Sequence, residues 1–486
     1  MIRLTRRGAT IVCPGPAIGS GRVFCSVSPA RYLLSAIDVG ACRYIDTFKH
    51  GSTIAARYQK LGSSGLLVSE FCLGTMIFGT PARQYAAARI VRPHYCPCPS
   101  RSYSLHRYRQ RSTLMFHVMF SMPCLYVIAR FLWPMPWALS AKIAVAVLLV
   151  LASQYHLYCR FSSGSVFSPE FPRYIVMLFN WAFGAILLLA VLQIIVDIGT
   201  LLTMLVRWQT LSIPANLRYF IGVAALVLAA VGVQQAVRVP PVKDIQIAIK
   251  NLPPQFDGYK VLQLTDMHIS RLFDAPWTRE VVKQSNALGV DLIVITGDLI
   301  DGSLNDRKQD IEALRDLRAP DGVYVIPGNH EYFFDNQAWM QHFVSLGMIP
   351  LANSHTLIEH DGARIALAGV TDVTAPKTGF PAPDLQKAIA GIAKDTPIIL
   401  LDHQPRNAEE TATHGVALQL SGHTHGGMIF GLHWLLALAN GGFVSGFYEV
   451  GGMQLYVNNG TALWPGFAIR LGKPSELTRI TLRRAL

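Results

Sequence analysis

The sequence predicts a multi-pass α-helical membrane region followed by an α/β domain, and three observations predict it. Of the 486 residues 51% are hydrophobic and the mean hydropathy is positive, a balance that leans towards a membrane-containing chain. Residues 114–237 hold only eight charged side chains, too few for a soluble domain of that length. After Pro240 and Pro241 the character changes to short β-rich runs separated by Gly, Asp, His and Asn clusters. That alternation reads as a soluble α/β domain over residues 242–486.

Residues 1–113 carry 16 Lys/Arg against 3 Asp/Glu, which is the whole of the net charge of +13, and the other 373 residues hold 27 of each sign. A basic groove for a polyanion is therefore not expected in the later part of the chain, and neither is a nucleic-acid partner. The stretch mixes Arg, Ser, Gly and Pro with no sustained helical or alternating period, so a loosely ordered region without an assigned function is expected. Residues 58–80 resemble the opening strand and turn of aldo-keto reductases. A complete barrel of that kind needs roughly 250 residues, so no reductase activity is carried over; either an upstream fragment has been fused here, or the true start is a later residue such as Met115. A cleavable signal peptide is a poor fit, because no apolar run of about 7 to 15 residues follows the early arginines. All eight cysteines precede residue 160, so no disulfide is expected after it, and the lone pair Cys96 and Cys98 lacks the partners of a structural zinc site.

Four membrane spans are read from the apolar runs, at residues 115–133, 138–158, 174–206 and 219–237. The first is the weakest because it contains Pro123 and Arg130, so the expectation is three or four transmembrane helices. A bilayer core needs about 20 helical residues, so the run 174–206 must tilt, kink, or continue beyond the lipid. Asp197 lies inside it, where a partner for an Arg or for backbone within the bundle is expected in preference to a transport site. Arg107, Arg109 and Arg111 push the start of the bundle inwards. Four spans then put the C-terminal domain in the cytoplasm and three put it outside, so the side stays open. A bacterial inner or plasma membrane is the expected location.

In the C-terminal domain five strand-like runs end in short polar loops. Residues 261–265 lead to Asp266 and His268; 292–296 to Asp298 and Asp301; 323–326 to Asn329, His330 and Glu331. Residues 398–401 lead to Asp402 and His403, and 416–420 to His423 and His425. Ligand side chains at the carboxyl ends of sheet strands are where an open α/β fold places a site. A dinuclear metal centre, with ions roughly 3.5 to 4 Å apart, needs such O and N donors on rigid backbone, with Gly beside them to let chains approach. Each piece alone is weak, and the five in this order are a strong signal.

The order D-x-H, G-D-x-x-D, G-N-H-E, H-x-P and G-H-x-H resembles that of calcineurin-like metallophosphoesterases. The stretch 422–427, the run 455–460 and the closing 474–477 look most like a bacterial membrane-associated branch that includes lipid-processing hydrolases. The resemblance implies a four-layer αββα sandwich. It implies that Asp266, His268 and His425 bind one ion, that Asn329, His403 and His423 bind the other, and that Asp298 bridges them. His330 would be the catalytic residue, protonating or stabilising the leaving oxygen while a bridging hydroxide attacks phosphorus. The cofactors implied are two divalent ions, Mn first, with Fe, Zn or Co as alternatives.

Asp301 and Glu331 are candidates to orient ligand imidazoles, or simply to cap loops, and Asp402 is expected to face solvent. The apolar run 428–439 follows the last ligands. It reads either as a segment that meets the bilayer interface or an acyl chain, or as a buried helix or strand. The function expected is thus a membrane-anchored hydrolase of a phosphodiester, pyrophosphate or phosphomonoester bond, with a phosphoester substrate that is lipid-linked, and the bilayer as partner. A non-catalytic metal-binding membrane scaffold or sensor is the alternative.

Overall fold

The computed structural model describes residues 121–485, together with the backbone of eight strand pieces of two or three residues between Ile2 and Ser69. The chain divides into two units, Met1–Ser102 and Tyr103–Leu486. In the first unit the strand pieces pair two by two. One pair, Tyr58–Lys60 antiparallel to Leu67–Ser69, falls in the reductase-like stretch, whose other residues lie outside those described, as do Cys96, Cys98 and residues 115–120.

The second unit begins with apolar helices. Ser121–Leu132 is a short apolar helix, followed by α1 (Leu139–Ser153), α2 (Tyr155–Ser163), α3 (Arg173–Arg207) and α4 (Ala215–Val237). Two of these, α3 and α4, are long and apolar enough to cross a membrane, or three if α1 and α2 count as one span. The expected span 138–158 is thus not one straight helix, since α1 and α2 meet at 47°. The bend has a local cause. Ser153 Oγ donates back to the carbonyl of Val150 at 2.7 Å, and the amide of Gln154 donates to Ser153 Oγ at 2.9 Å, side-chain bonds that compete with the helical ladder.

The run around Asp197 resolves into a single helix. The 35 residues of α3 reach about 52 Å at the α-helical rise, well beyond a hydrocarbon core of about 30 Å. Its first half is buried at Val176, Asn180, Phe183 and Gly184, whereas Ile194, Ile195, Leu201, Leu202 and Leu205 in the second half are exposed. Asp197 accepts hydrogen bonds from Tyr126 Oη at 2.6 Å, Gln193 Nε2 at 2.8 Å and Arg130 Nε at 3.0 Å. It has the arginine partner that the sequence led one to expect for it.

The rest of the unit holds twelve strands: β1 (Val242–Ile249), β2 (Lys260–Leu264), β3 (Leu292–Ile295), β4 (Val323–Val325), β5 (Ile349–Pro350), β6 (Ser354–His360), β7 (Ala363–Gly369), β8 (Ile398–Leu401), β9 (Leu418–Ser421), β10 (Gly446–Val450), β11 (Met453–Val457) and β12 (Leu477–Arg484). The helices are α5 (Ala275–Ala287), α6 (Leu304–Ile311), α7 (Asn329–Phe333), α8 (Asn336–Ser345), α9 (Leu385–Ile389), α10 (Ala408–Ala412) and α11 (Leu432–Ala439). One sheet has the order β5-β4-β3-β2-β12-β1 and the other β6-β7-β8-β9-β11-β10. In the first, β2 to β5 are parallel and β12 runs against β2. In the second, β7, β8, β9 and β11 are parallel, with β6 and β10 antiparallel at the edges.

The period-two alternation of side chains sorts each strand between two cores. Val261, Val294, Ile365, Leu367, Ile399, Leu401, Leu418 and Leu420 fill the space between the sheets. Leu262, Leu264, Ile293 and Ile295 point outwards against Trp277 and Val281 of α5 and Trp339 and Phe343 of α8. On the far side Ala366, Ala368, Ile398 and Leu400 meet Ala388 of α9 and Ala408 of α10. The result is the helix–sheet–sheet–helix layering implied at the outset, in which each fully buried Leu or Ile contributes about 1.5–3 kcal/mol. The first of the outer cores also contains Tyr155, Cys159, Val176 and Phe183. The apolar helices α2 and α3 therefore share a core with the two-sheet domain.

Candidate metal centre

Each parallel strand that was expected to end in a polar loop does so, on the same edge of the sandwich. The loops after β2, β3 and β4 come from one sheet, and those after β8 and β9 from the other. Gln263 Nε2 ties the two sheets by donating to the carbonyl of Ser421 at 3.1 Å. Asp266, His268, Asp298, His423 and His425 all adopt positive φ, between 43° and 68°. Non-Gly residues rarely do so, and such strain persists where surrounding contacts over-determine it. At Gly328 a Cβ would fall 2.2 Å from Asp298 Oδ1, and at Gly422 one would fall 2.3 Å from Asp266 Oδ2. Those two positions admit no side chain while the carboxylates stay where they are.

The side chains converge. Asp266, His268 and His425 offer ligand atoms within 4.8 Å of one another, as do Asp298, His403 and His423, and also His268, Asp298 and His330. His403 Nε2 lies 3.3 Å from Asp298 Oδ2 and 3.1 Å from Asn329 Oδ1. His425 Nε2 and His268 Nε2 lie 3.7 and 3.9 Å from Asp266 Oδ1, and His268 Nε2 is also 3.8 Å from Asp298 Oδ2. Asp298 is thus the carboxylate shared by both groups. All eight residues named from the sequence are brought together, six of them buried, with His423 and His425 half-buried.

The donor set fits divalent cations. Two neighbouring buried carboxylates, four imidazoles and the Asn329 amide oxygen are hard or borderline ligands, and His268 Nε2 and His425 Nδ1 are buried with no hydrogen-bond partner. Buried polar atoms are seldom left so without a reason. The ring orientations are fixed from behind: His403 Nδ1 pairs with the carbonyl of Thr296 at 2.8 Å and His268 Nδ1 with Asp301 Oδ2 at 3.0 Å, leaving Nε2 of each for the centre. Burial opposes ionisation of Asp298, but His403 and His330 hold its carboxyl well below the usual range. Burial and the neighbouring Asp298 charge outweigh the His403 cation and shift Asp266 the other way, upwards. Burial, His268 and Arg470 keep His425 well below its ordinary value, as burial and His403 do for His423, to about 3. His403 goes the other way, raised against burial by Asp298 and Asp266, so neutral imidazoles at His423 and His425 and an ionised Asp298 are the forms suited to a metal.

Comparison with known proteins agrees with this geometry. Residues 259–427 match the family of calcineurin-like phosphoesterases. The chain is 34% identical over 268 residues to a transmembrane protein with metallophosphoesterase domain from Danio rerio, covering 53% of this chain and 61% of that one. It is 32% identical over 268 residues to an uncharacterized metallophosphoesterase of Campylobacter jejuni, covering 54% of this chain and 68% of the relative. With the uncharacterized metallophosphoesterase YkuE of Bacillus subtilis the identity is 32% over 239 residues, 48% of this chain and 82% of the other. The chain belongs to the calcineurin-like phosphoesterase family. It spans about three fifths, 61%, of the length of the transmembrane relative from Danio rerio.

Within this family member the supporting residues differ in part from expectation. Asp301 does orient imidazoles, pairing with Nδ1 of His268 and of His330. Glu331 does not. Its carboxylate accepts the backbone N–H groups of Gly328 at 2.7 Å, Leu299 at 2.7 Å and Asp298 at 3.0 Å, so it pins the Asp298 loop to the Asn329 loop. Asp402 does not face solvent either; it is buried, and burial with the nearby Asp372 carboxylate pushes it up to about 7.

Two contributors carried no signal in the sequence. Arg470, fully buried, donates to the carbonyls of His425, Asn459, Ala462 and Lys473 and so holds the loops behind Asp266 and His425. Phe167, in the connector between α2 and α3, packs edge-on to His330 at 5.4 Å between ring centres, stacks on Phe333 at 4.9 Å and touches Trp464 at 5.6 Å. An apolar run with a few aromatics gives no hint that one ring reaches a site more than 160 residues away.

Proposed function

We propose that this chain is a membrane-anchored phosphoesterase that cleaves a phosphodiester, pyrophosphate or phosphomonoester bond of an amphiphilic, lipid-linked substrate with two divalent ions, Mn foremost. The observation that carries the reading is the convergence of five strand-end loops on one space lined by neighbouring carboxylates and the partnerless Nε2 of His268. Asp266, His268 and His425 would hold one ion, Asn329, His403 and His423 the other, with Asp298 between them. The ions supply charge neutralisation for the phosphoryl oxygens and a nucleophile available at neutral pH.

The chain's own groups do the rest. His330 offers Nε2 at 3.9 Å from Asp298 Oδ2, while its Nδ1 is held by Asp301. Burial works against the charged imidazole, yet Asp301 and Asp298 hold it up to about 9. A protonated His330 at the rim of the centre is placed to give its proton to a leaving alkoxide or phosphate oxygen. The ring of Phe167 excludes water from one side of it.

The domains follow as residues 1–113 of no assigned role, an anchoring region 114–237 and a catalytic domain 242–486. The first half of α3 and the end of α4 adjoin the catalytic domain, and residues 208–214 join their other ends, which supports anchoring with the metal centre close above the lipid. The test is turnover of bis-aryl and mono-aryl phosphates by the full chain in detergent with Mn²⁺, beside His330→Ala. Hydrolysis of neither ester by the loaded wild type would overturn the enzyme reading.

A further inference from the structure

The exposed apolar surface of this molecule does not stop at α3 and α4. Segment 430–438 has no buried residue along α11, and Phe430, Trp434, Leu435 and Leu438 are 70%, 65%, 66% and 85% exposed. A helix that is apolar and unburied on a water-facing surface is costly, and contiguous patches of this kind mark a contact with something apolar.

Its position says what that is. The backbone before α11 pairs with the loop that docks on the apolar helices: Phe430 N donates to the carbonyl of Leu471 at 2.8 Å, Leu471 N to that of Met428 at 3.0 Å, and Arg470 N to that of Gly232 in α4 at 2.9 Å. Gly232 lies little more than one turn from the end of α4, below the exposed Gln234 and Arg238 where the helix turns polar. Phe430 is thus two short backbone steps from the last apolar turn of a candidate span, and the apolar surface of α4 continues into α11. Trp434, exposed among leucines, is the residue type enriched where hydrocarbon meets headgroups.

Both ends of α11 are tied to ligand loops. A Cβ on Gly427, two residues after His425, would fall 2.5 Å from Cβ of His433. At the other end Arg406, three residues after His403, donates to the carbonyl of Ala439 at 2.8 Å. We propose that α11 and Phe430 lie in the headgroup–acyl boundary of the bilayer that α3 and α4 cross, so that the loops carrying His403 and His425 face phosphoesters presented at that surface. This rests on the membrane-anchored phosphoesterase reading and names the lipid surface as the partner of the site.

The full chain in phosphatidylcholine–phosphatidylglycerol nanodiscs tests it by two independent readouts. With acyl-brominated lipid, the fluorescence difference between wild type and Trp434→Phe isolates Trp434, and at least a twofold quench of that component is expected. An unquenched Trp434 overturns the proposal, whether the apolar face then proves to be covered by protein or by nothing. The second readout compares Leu435→Ser/Leu438→Ser with wild type. Turnover of a soluble bis-aryl phosphate should stay within twofold, while turnover of a phosphoester lipid embedded in the same discs falls at least tenfold. Equal loss on both substrates, or no loss on either, counts against the interfacial role. Should wild type hydrolyse no ester, the enzyme reading fails while the quenching still decides where α11 lies; should the chain wash off membranes without detergent, the anchoring fails instead.

Discussion

Asp301 accepts from two imidazoles at once, one on a ligand position and one on the proposed acid. Its replacement by Asn keeps the shape and removes the charge, so two effects are expected together. Loss of the anion behind His268 should lower metal affinity by about 10- to 100-fold, read as metal content after dialysis. His330, held up to about 9 largely by this carboxylate against burial, should titrate lower. A step that needs protonated His330 loses rate as pH rises through its pKa, so the alkaline limb of kcat/KM against pH should move to lower pH in Asp301→Asn. An unmoved limb would show that another group donates. His330→Ala itself should reduce turnover by about 10²- to 10⁴-fold with metal content unchanged; full turnover would remove His330 from the chemistry. At this scale the sequence was informative because a ligand set has few chemical solutions: Asp, Asn and His after strands beside Gly. Supporting roles were less legible. Glu331 sits next to His330, and spacing cannot tell whether a carboxylate will bond an imidazole or three backbone N–H groups. Asp402 similarly carries no mark that it will be buried.

At the level of elements, the connector 164–172 and the first half of α3 form the underside of the site. Phe167→Ala should lower turnover about tenfold, the scale of a group that shields and orients and does not itself react. Phe167→Leu should recover most of it, and metal content should be unchanged in both. An identical loss in the Leu variant would point to a specific demand for the ring. Asn180 is fully buried in α3, donating to the carbonyl of Pro465 at 2.8 Å and accepting from Ala468 N at 2.6 Å. Asn180→Ala leaves the Ala468 N–H without that partner, a cost of about 1–3 kcal/mol, while the Pro465 carbonyl keeps the Tyr155 hydroxyl at 2.8 Å; the apparent melting temperature in detergent should therefore fall, and no change would mean that water replaces the amide. The apolar run itself was legible as a helix, because lipid and protein interior demand the same composition. For that reason its two halves could not be told apart from sequence: the half under the domain is as apolar as the half with exposed Leu201, Leu202 and Leu205. The bend between α1 and α2 depends on Ser153 and Gln154, polar but not helix-breaking.

For the molecule as a whole, ligands from both sheets meet at one place, so bound ions act as a clamp across the sandwich. Ions that bind the folded state alone stabilise it by mass action, about 2.7 kcal/mol at a hundredfold excess over Kd. Chelation should therefore lower the melting temperature and Mn²⁺ restore it, and a chelator with no effect would argue against a resident metal. Fragment 242–486 expressed alone should aggregate or need detergent, because Phe467, Ala468 and Ile469 would lose the surface that α2, α3 and α4 provide. A monodisperse, active fragment would contradict that. The strand–loop pairs were legible in the sequence and the sandwich followed from the family resemblance they carry, while its fusion to the apolar helices was not, because loop 464–471 reads as ordinary apolar loop.

Ile469, fully buried, sits against Gly184 on one helix and Gly232 on the other, and it belongs to the same loop as Arg470, which braces the ligand backbone. The apolar helices and the sandwich are therefore not interchangeable parts. A chimaera that joins residues 242–486 to the apolar helices of a relative would have to inherit both glycines as well, and swaps that ignore them should misassemble even where every proposed metal ligand is retained.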